Sequence, residues 1–456
     1  MEAKGELSQQ IADFVYRTNY ECLPEAVVDK AKQCFIDSIG VSLYGASFEA
    51  SRICHALVKD FEGKEESSIL GTKYKAPCFL AALANGISAH IADYDDTLVE
   101  FGHPSSILMP VTLSLAEAKT IDGPHLLTAF VLGNEVGAKL GQVMLWSHYE
   151  IGFHQTGTIG TIGAAVAACK LLMLQPVQIT NALGIAASSA SGLRQNFGTM
   201  TKSWHAGHAA SAGVVAALLA QKGFNASSQA IDGGKGFVRA FQGGKGSFPV
   251  EQLGNPYSIM NVSLKRYPSC ALTHPAVDAV LKLKEQHHLQ PEGIKAVECR
   301  GRALMRSVLL NKAPDTGLEA KFSLEYCLAA ALVKGGLGVA QFTDEAVYEP
   351  QVRQLMNRIS LEFEPRLDEI AKDKGLINPS QVRVVLADGE EFSQTVEEAK
   401  GGPGDPMSWS EVSEKFSQCS RHILSAEQAE RTLNFVRQLE HVTNVADLNG
   451  FLTPKK

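Results

Sequence analysis

The chain has 456 residues, 45% hydrophobic and 20% charged, with a net charge of −7. That is ample apolar material for two or three globular domains. The acidic balance argues against a nucleic-acid or anionic-membrane partner, and no apolar run reaches the roughly 18 residues of a spanning helix.

The nine Cys are scattered, with no C-x-x-C pair. They read as reduced thiols of a cytoplasmic protein, so a zinc finger or a disulfide scaffold is not expected. The opening Met1-Glu2-Ala3-Lys4-Gly5-Glu6 lacks a basic start followed by an apolar run, so a secretory signal is not expected either.

Helical patterns fill the first 260 residues. Residues 23–44 carry apolar side chains at spacings of three and four (Val27, Val28, Ala31, Phe35, Ile36, Ile39). Residues 79–92, 124–142, 157–173, 177–191 and 205–222 repeat the theme. Their many Ala and Gly residues suit close helix–helix approach.

The texture changes near residue 262. Residues 294–301 and 359–364 read as strands. Residues 381–397 read as a hairpin turning at Asp388-Gly389. Helical patterns cover 318–334 and 343–358. The run 401–406 (GGPGDP) breaks regular structure. Ser408 with Glu411 then forms a capping box, and Ser425 caps a helix over 424–439.

The expected fold is mainly α. A large helical domain is built from both chain ends (1–261 and 402–456), with a smaller α+β lid domain at 262–401.

Five polar segments interrupt this pattern. The first, 89–104 (AHIADYDDTLVEFGHP), holds His90, Asp93, Asp95, Asp96, Thr97, Glu100 and His103 directly after an apolar helix. If that helix continues, Asp93, Asp96/Thr97 and Glu100 share one face. Buried polar groups need partners, which favours an acid–base site over a surface turn. Carboxylate and imidazole also ligate metals, but the spacing matches no familiar metal motif.

The second, 148–160, offers Tyr149 and His154 as proton carriers before a small-residue helix whose N-terminus suits an anion. The third, 192–208, brings Arg194, Lys202, His205 and His208. A lysine in a dry or cationic setting can act as a base, whereas His205 reads as structural among small residues. The fourth, 265–278, contains Lys265, Arg266, Cys270 and His274, and Cys270 has no base nearby in sequence. The fifth, 320–329, contains Lys321 and Tyr326, and Tyr326 taken alone reads as a core aromatic with a bonded hydroxyl. Each of the others, taken alone, also has a plain reading as a capped loop or a solvated face.

No dinucleotide fingerprint, phosphate loop or nucleophile elbow is present. The pairs Gly233-Gly234 and Gly243-Gly244 read as loop glycines.

Taken together, AHIADYDDT…GHPSS, GFHQTGTIGTIGAA, KSWHAGHAASAGVVAALLAQKGF, KRYPSCALTHPAVDA and AKFSLEYC resemble the MmgE/PrpD family in content and order. That family includes 2-methylcitrate dehydratases, cis-aconitate decarboxylases and iminodisuccinate epimerases. The resemblance implies a helical domain, a lid domain, a homodimer, and neither metal nor organic cofactor. It places Asp93, Thr97 and His103 in the active site, with His154, Lys202, Lys265 and Tyr326 in the later motifs. Tyr149 and Lys202 match the proton-carrier pair of the epimerases. Cys270 stands where the decarboxylases carry His, which counts against decarboxylation, and His274 lies nearby.

The expected chemistry is removal of a proton next to a carboxylate of a small polycarboxylic acid, where cations stabilise the developing charge. On residue types and resemblance together, Lys202 or His154 is the base, Tyr149 a second proton carrier and His103 the acid toward a leaving hydroxyl. Asp93 and Thr97 orient His103 or bind substrate. Lys265 clamps a distal carboxylate, with His274 and Tyr326 also on the substrate side. Dehydration of a 2-methylcitrate-like acid leads, and epimerisation of a dicarboxylate is the alternative. A cis-aconitate-type decarboxylase and a non-catalytic carboxylate binder rank below them.

Overall fold

The computed structural model describes residues 7–241, 248–376 and 378–454. The segment Met1–Glu6 and the pair Gly243-Gly244, both read above from sequence, lie outside them. Helix accounts for 61% of the structure and strand for 8%, so the protein is mainly α. Among the described residues no helix is long and apolar enough to cross a membrane.

The chain groups into two compact units. The described residues of Met1–Ile91, Asp95–Val262 and Ser408–Lys456 form one, and those of Ala92–Tyr94 and Ser263–Met407 form the second.

Ahead of residue 262, the longer helices of the first unit run in chain order: α1 (Leu7–Arg17), α2 (Glu25–Gly45), α3 (Glu49–Asp60), α4 (Cys78–Ile91), α5 (Ser105–Lys119), α6 (Gly123–Glu150), α7 (Gln155–Leu171), α8 (Pro176–Ser189) and α9 (Thr201–Gln221). A short antiparallel pair, β1 (Ser67–Ser68) and β2 (Lys75–Ala76), sits before α4.

Helix α7 is buried along its whole length. It packs on α6 and α9, and α9 packs on α4. Small residues permit this. A Cβ on Gly86 of α4 would fall 2.7 Å from the Cα of Gly207 in α9, so the two backbones touch through paired glycines. This contact carries the end of α4 to the start of α9.

The C-terminal helices Trp409–Ser420 and Ala426–Arg437 belong to the same unit and open on complete capping boxes at Ser408 and Ser425. The first packs on α2, where Lys415 and Asp37 form a buried ion pair at 2.8 Å.

The second unit holds a four-stranded sheet in the order β4-β3-β5-β6, from β3 (Ile294–Gly301), β4 (Ile359–Phe363), β5 (Ser380–Leu386) and β6 (Glu391–Val396). β3 runs parallel to β4 and antiparallel to β5, and β5 pairs antiparallel with β6. The β5–β6 turn contains Asp388 and Gly389, and Gly389 adopts φ +94. The helices His274–His287 and Leu324–Lys334 share the sheet's apolar core through Val277, Val280, Leu328 and Leu332.

Three helical expectations change. The helix read over 343–358 is two short ones, Asp344–Val347 and Pro350–Met356. Pro350 lacks an N–H and restricts the residue before it, so it restarts the helix. The helix read over 318–334 is likewise divided, into Gly317–Ala320 and Leu324–Lys334, where Ser323 caps the second piece. Most consequentially, α4 stops at Ile91. Asp93 adopts φ +51, so no helical face carries Asp93, Asp96 and Glu100 together.

Candidate active site

Four imidazoles converge in the first unit, carried by the ends of α4, α7 and α9 and by the loop before α5. His90 lies in the last turn of α4. The chain then makes a tight return in which Leu98 and Gly102 bridge. Gly102 has φ +94, and a Cβ there would fall 2.5 Å from Thr156 Oγ1. Only glycine lets the loop press this closely on the start of α7. That approach delivers His103, whose backbone N–H donates to Thr156 Oγ1 at 3.3 Å. His154 is the N-cap residue of α7, and His205 sits in the first half of α9.

Asp95 links two of the rings. Its Oδ2 lies 2.7 Å from His90 Nδ1 and 3.3 Å from His103 Nδ1. His103 Nδ1 also meets the Asp96 carbonyl at 2.9 Å. With two acceptor oxygens around it, His103 Nδ1 carries a proton and Nε2 is left as the working atom. Asp95 is fully buried. Burial alone would raise its carboxyl, but the facing His90 and His103 imidazoles prevail and hold it well below the ordinary range.

The other rings sit in the same dry environment. Burial lowers His90 to about 4, with Asp95 opposing and His103 and Lys202 adding to the shift. Burial holds His154 well below the ordinary imidazole value, reinforced by His90, Lys202, His103 and His205. His205 falls to about 4, again chiefly through burial. These three are therefore neutral near pH 7. His154 Nδ1 and His205 Nδ1 lie 3.0 Å apart, so one holds the proton and the other accepts it. Ring centroids are separated by 4.5 Å for His90–His103, 5.7 Å for His90–His154 and 6.3 Å for His103–His154.

Asp96 is turned the other way. It accepts from the Ser105 backbone N–H at 3.1 Å and from Ser105 Oγ at the start of α5. Burial pushes its carboxyl up to about 7, against the Ser105 hydrogen bonds. Thr97 is buried, and its hydroxyl has no hydrogen-bond partner among the described residues.

Lys202 supplies positive charge to three of the imidazoles, and its Nζ lies 5.4 Å from the Phe197 ring centre. Tyr149 is set against Arg194, whose guanidinium lies 3.6 Å above its ring and donates to its carbonyl at 2.9 Å.

The remaining sequence candidates belong to the second unit. Lys265 Nζ donates to Asp93 O at 2.9 Å and to Asp93 Oδ1 at 3.1 Å, with both residues buried. His274 Nε2 lies 3.2 Å from the Ser269 carbonyl, and its ring packs edge-on against Tyr267. Tyr326 is fully buried in the apolar core and its hydroxyl donates to the Gln341 carbonyl. Its surroundings match the core-aromatic reading of that residue.

Sequence reasoning thus singled out His103, His154 and Lys202, which share one neighbourhood. It gave no role to Asp95 or His90. The available signal was a histidine and an aspartate five positions apart at the end of an apolar helix.

The MmgE/PrpD N-terminal domain matches residues 9–248 and the MmgE/PrpD C-terminal domain matches residues 267–441. Cis-aconitate decarboxylase of Homo sapiens is 28% identical over 460 residues, covering 98% of this chain and 94% of its own. Cis-aconitate decarboxylase of Aspergillus terreus is 25% identical over 472 residues, covering 98% and 96%. 2-Methylcitrate dehydratase of Escherichia coli (strain K12) is 25% identical over 424 residues, covering 87% and 86%.

Proposed function

This chain belongs to the MmgE/PrpD family, and on that premise we propose that it is an enzyme that transfers a proton at the carbon beside a carboxylate of a small polycarboxylic acid. One observation carries the reading. Asp95, fully buried, backs both His90 and His103, in a cluster whose ring nitrogens on His90, His103 and His154 lie within 4.8 Å of one another.

A carboxylate behind an imidazole fixes its tautomer and faces the positive charge that a proton on the other nitrogen creates. His103 Nε2 is that other nitrogen. Breaking the C–H bond places negative charge on the substrate carboxylate, and the half-buried Lys202 ammonium stabilises it. His154 is the second proton carrier on the imidazole side, with His205 holding its tautomer through the 3.0 Å contact. Tyr149 retains its place as a proton carrier, steadied by Arg194.

In the leading reaction the C–H bond breaks, the β-hydroxyl leaves with a proton as water, and an alkene forms. A second reading is decarboxylation, favoured by the near-complete alignment with two cis-aconitate decarboxylases. There the C–C bond breaks, CO₂ leaves, and the carbanion takes a proton from the same imidazoles. A homodimer and a cytoplasmic location are part of the same proposal.

The test is a panel of 2-methylcitrate, citrate, cis-aconitate and dicarboxylates in deuterated water, read by NMR with CO₂ trapping. Dehydration yields an unsaturated acid without CO₂. Decarboxylation yields CO₂ and one deuterium at the vacated carbon. Exchange without an alkene indicates epimerisation. Thermal stabilisation by a carboxylate with no exchange from any of them would leave only a binding protein.

A further inference from the structure

Each of the three clustered imidazoles is held through Nδ1. His90 Nδ1 meets Asp95 Oδ2 at 2.7 Å, His103 Nδ1 meets the Asp96 carbonyl at 2.9 Å, and His154 Nδ1 meets His205 Nδ1 at 3.0 Å. Nε2 is then the remaining nitrogen on every ring. On His90, which is 1% exposed, Nε2 is buried with no hydrogen-bond partner among the described residues. An unmet buried ring nitrogen costs free energy, so its retention points to a ligand that the cluster receives.

Metal-binding histidines share this pattern. The nitrogen away from the metal is tied to a carboxylate, a carbonyl or another acceptor, which fixes the ring and its tautomer. Three imidazoles with one position left open form a set that zinc accepts. Here a ring nitrogen of each residue lies within 4.8 Å of those of the other two. Zinc makes bonds of roughly 2.0–2.1 Å to nitrogen, so the three rings would draw inward on binding.

We propose that His90, His103 and His154 form a binding site for a divalent transition-metal ion, with Zn²⁺ the best-matched. Asp95, Asp96 and His205 are its positioning groups. For His154 to ligate through Nε2, its Nδ1–H donates to His205 Nδ1, a tautomer the 3.0 Å contact permits. Bound zinc occupies the lone pairs that proton transfer needs, so it inhibits turnover. That consequence rests on the proposed reaction, whereas the binding does not.

The test uses the full chain, stripped with a chelator and titrated with Zn²⁺ by calorimetry, with metal content checked by elemental analysis. One ion per chain is expected. His90→Ala and His154→Ala should abolish measurable binding, and Asp95→Asn should weaken it roughly 10–100-fold. Co²⁺ should give the intense visible spectrum of a tetrahedral site, lost in His90→Ala. Zinc binding unchanged by all three substitutions would overturn the proposal. If His90→Ala does not fold, His154→Gln and the wild-type Co²⁺ spectrum decide, and a weak octahedral spectrum would overturn it. Turnover is read separately. Full turnover at saturating zinc would refute the proton-carrier roles of His103 and His154 while the binding data stood.

Discussion

In the second unit, the residues singled out from sequence have polar atoms engaged within that unit. Lys265 bonds Asp93, His274 faces the Ser269 carbonyl, Lys321 donates to the Pro268 carbonyl and Tyr326 to the Gln341 carbonyl. In the first unit, His90 Nε2, Asp95 Oδ1 and Thr97 Oγ1 are buried with no hydrogen-bond partner among the described residues. Each such atom costs about 1–3 kcal/mol. A stretch of a few residues that keeps several of them is arranged for something other than its own stability. What sets the first unit's stretch apart is clustering: these three atoms fall within residues 90–97, beside the imidazoles.

The largest expected effect is on turnover. His103→Ala and Asp95→Asn should each lower kcat about 10²–10⁴-fold with the fold retained by circular dichroism. An unfolded Asp95→Asn would instead make Asp95 a structural residue.

Next comes Lys265→Ala, which breaks a buried ion pair and should cost about 3 kcal/mol in urea unfolding. Gly207→Ala places a Cβ 2.4 Å from the Leu83 carbonyl and should cost about 1–3 kcal/mol by the same measurement.

Tyr326→Phe should cost about 1 kcal/mol with turnover near wild type, because the hydroxyl serves the Gln341 carbonyl. A collapse of kcat in that variant would erase the distinction between the two regions.

The smallest effect is on the pH profile of stability. Asp96 sits at about 7 in the folded chain against an ordinary 3.8, so the folded state binds more protons between those values. Its contribution is present below about pH 4 and is lost as pH rises through about 7. His90 runs oppositely. It sits at about 4 against 6.5, so its contribution is present above about pH 6.5 and is lost as pH falls through 4. Asp96→Asn should therefore remove a loss of stability between pH 4 and 7, measured by urea titration across that range.

The sequence made the helical character plain, because long runs of Ala, Gly and aliphatic residues at helical spacing have no strand reading. Asp388-Gly389 located the β5–β6 turn, and Ser408 with Glu411 located a helix start, since both signals are local. The candidate site was legible only in part. A shared face for Asp93, Asp96/Thr97 and Glu100 required the helix over 79–92 to continue, and the left-handed conformation of Asp93 ends it. The return of His103 to the Asp95 that also bonds His90 depends on a loop closed by Gly102 against Thr156, a contact 54 positions apart. The His154–His205 contact spans 51 positions through the packing of α7 and α9. Neither leaves a periodic trace along the chain.

The role of Asp95 behind the imidazoles is decided by proton exchange at a substrate carbon, followed by NMR in deuterated water for the wild type and Asp95→Asn side by side. Deuterium should enter beside a carboxylate with the wild type, and at least about a hundredfold more slowly with folded Asp95→Asn, the lower bound for losing acid–base assistance. Equal incorporation by the two proteins would contradict that role.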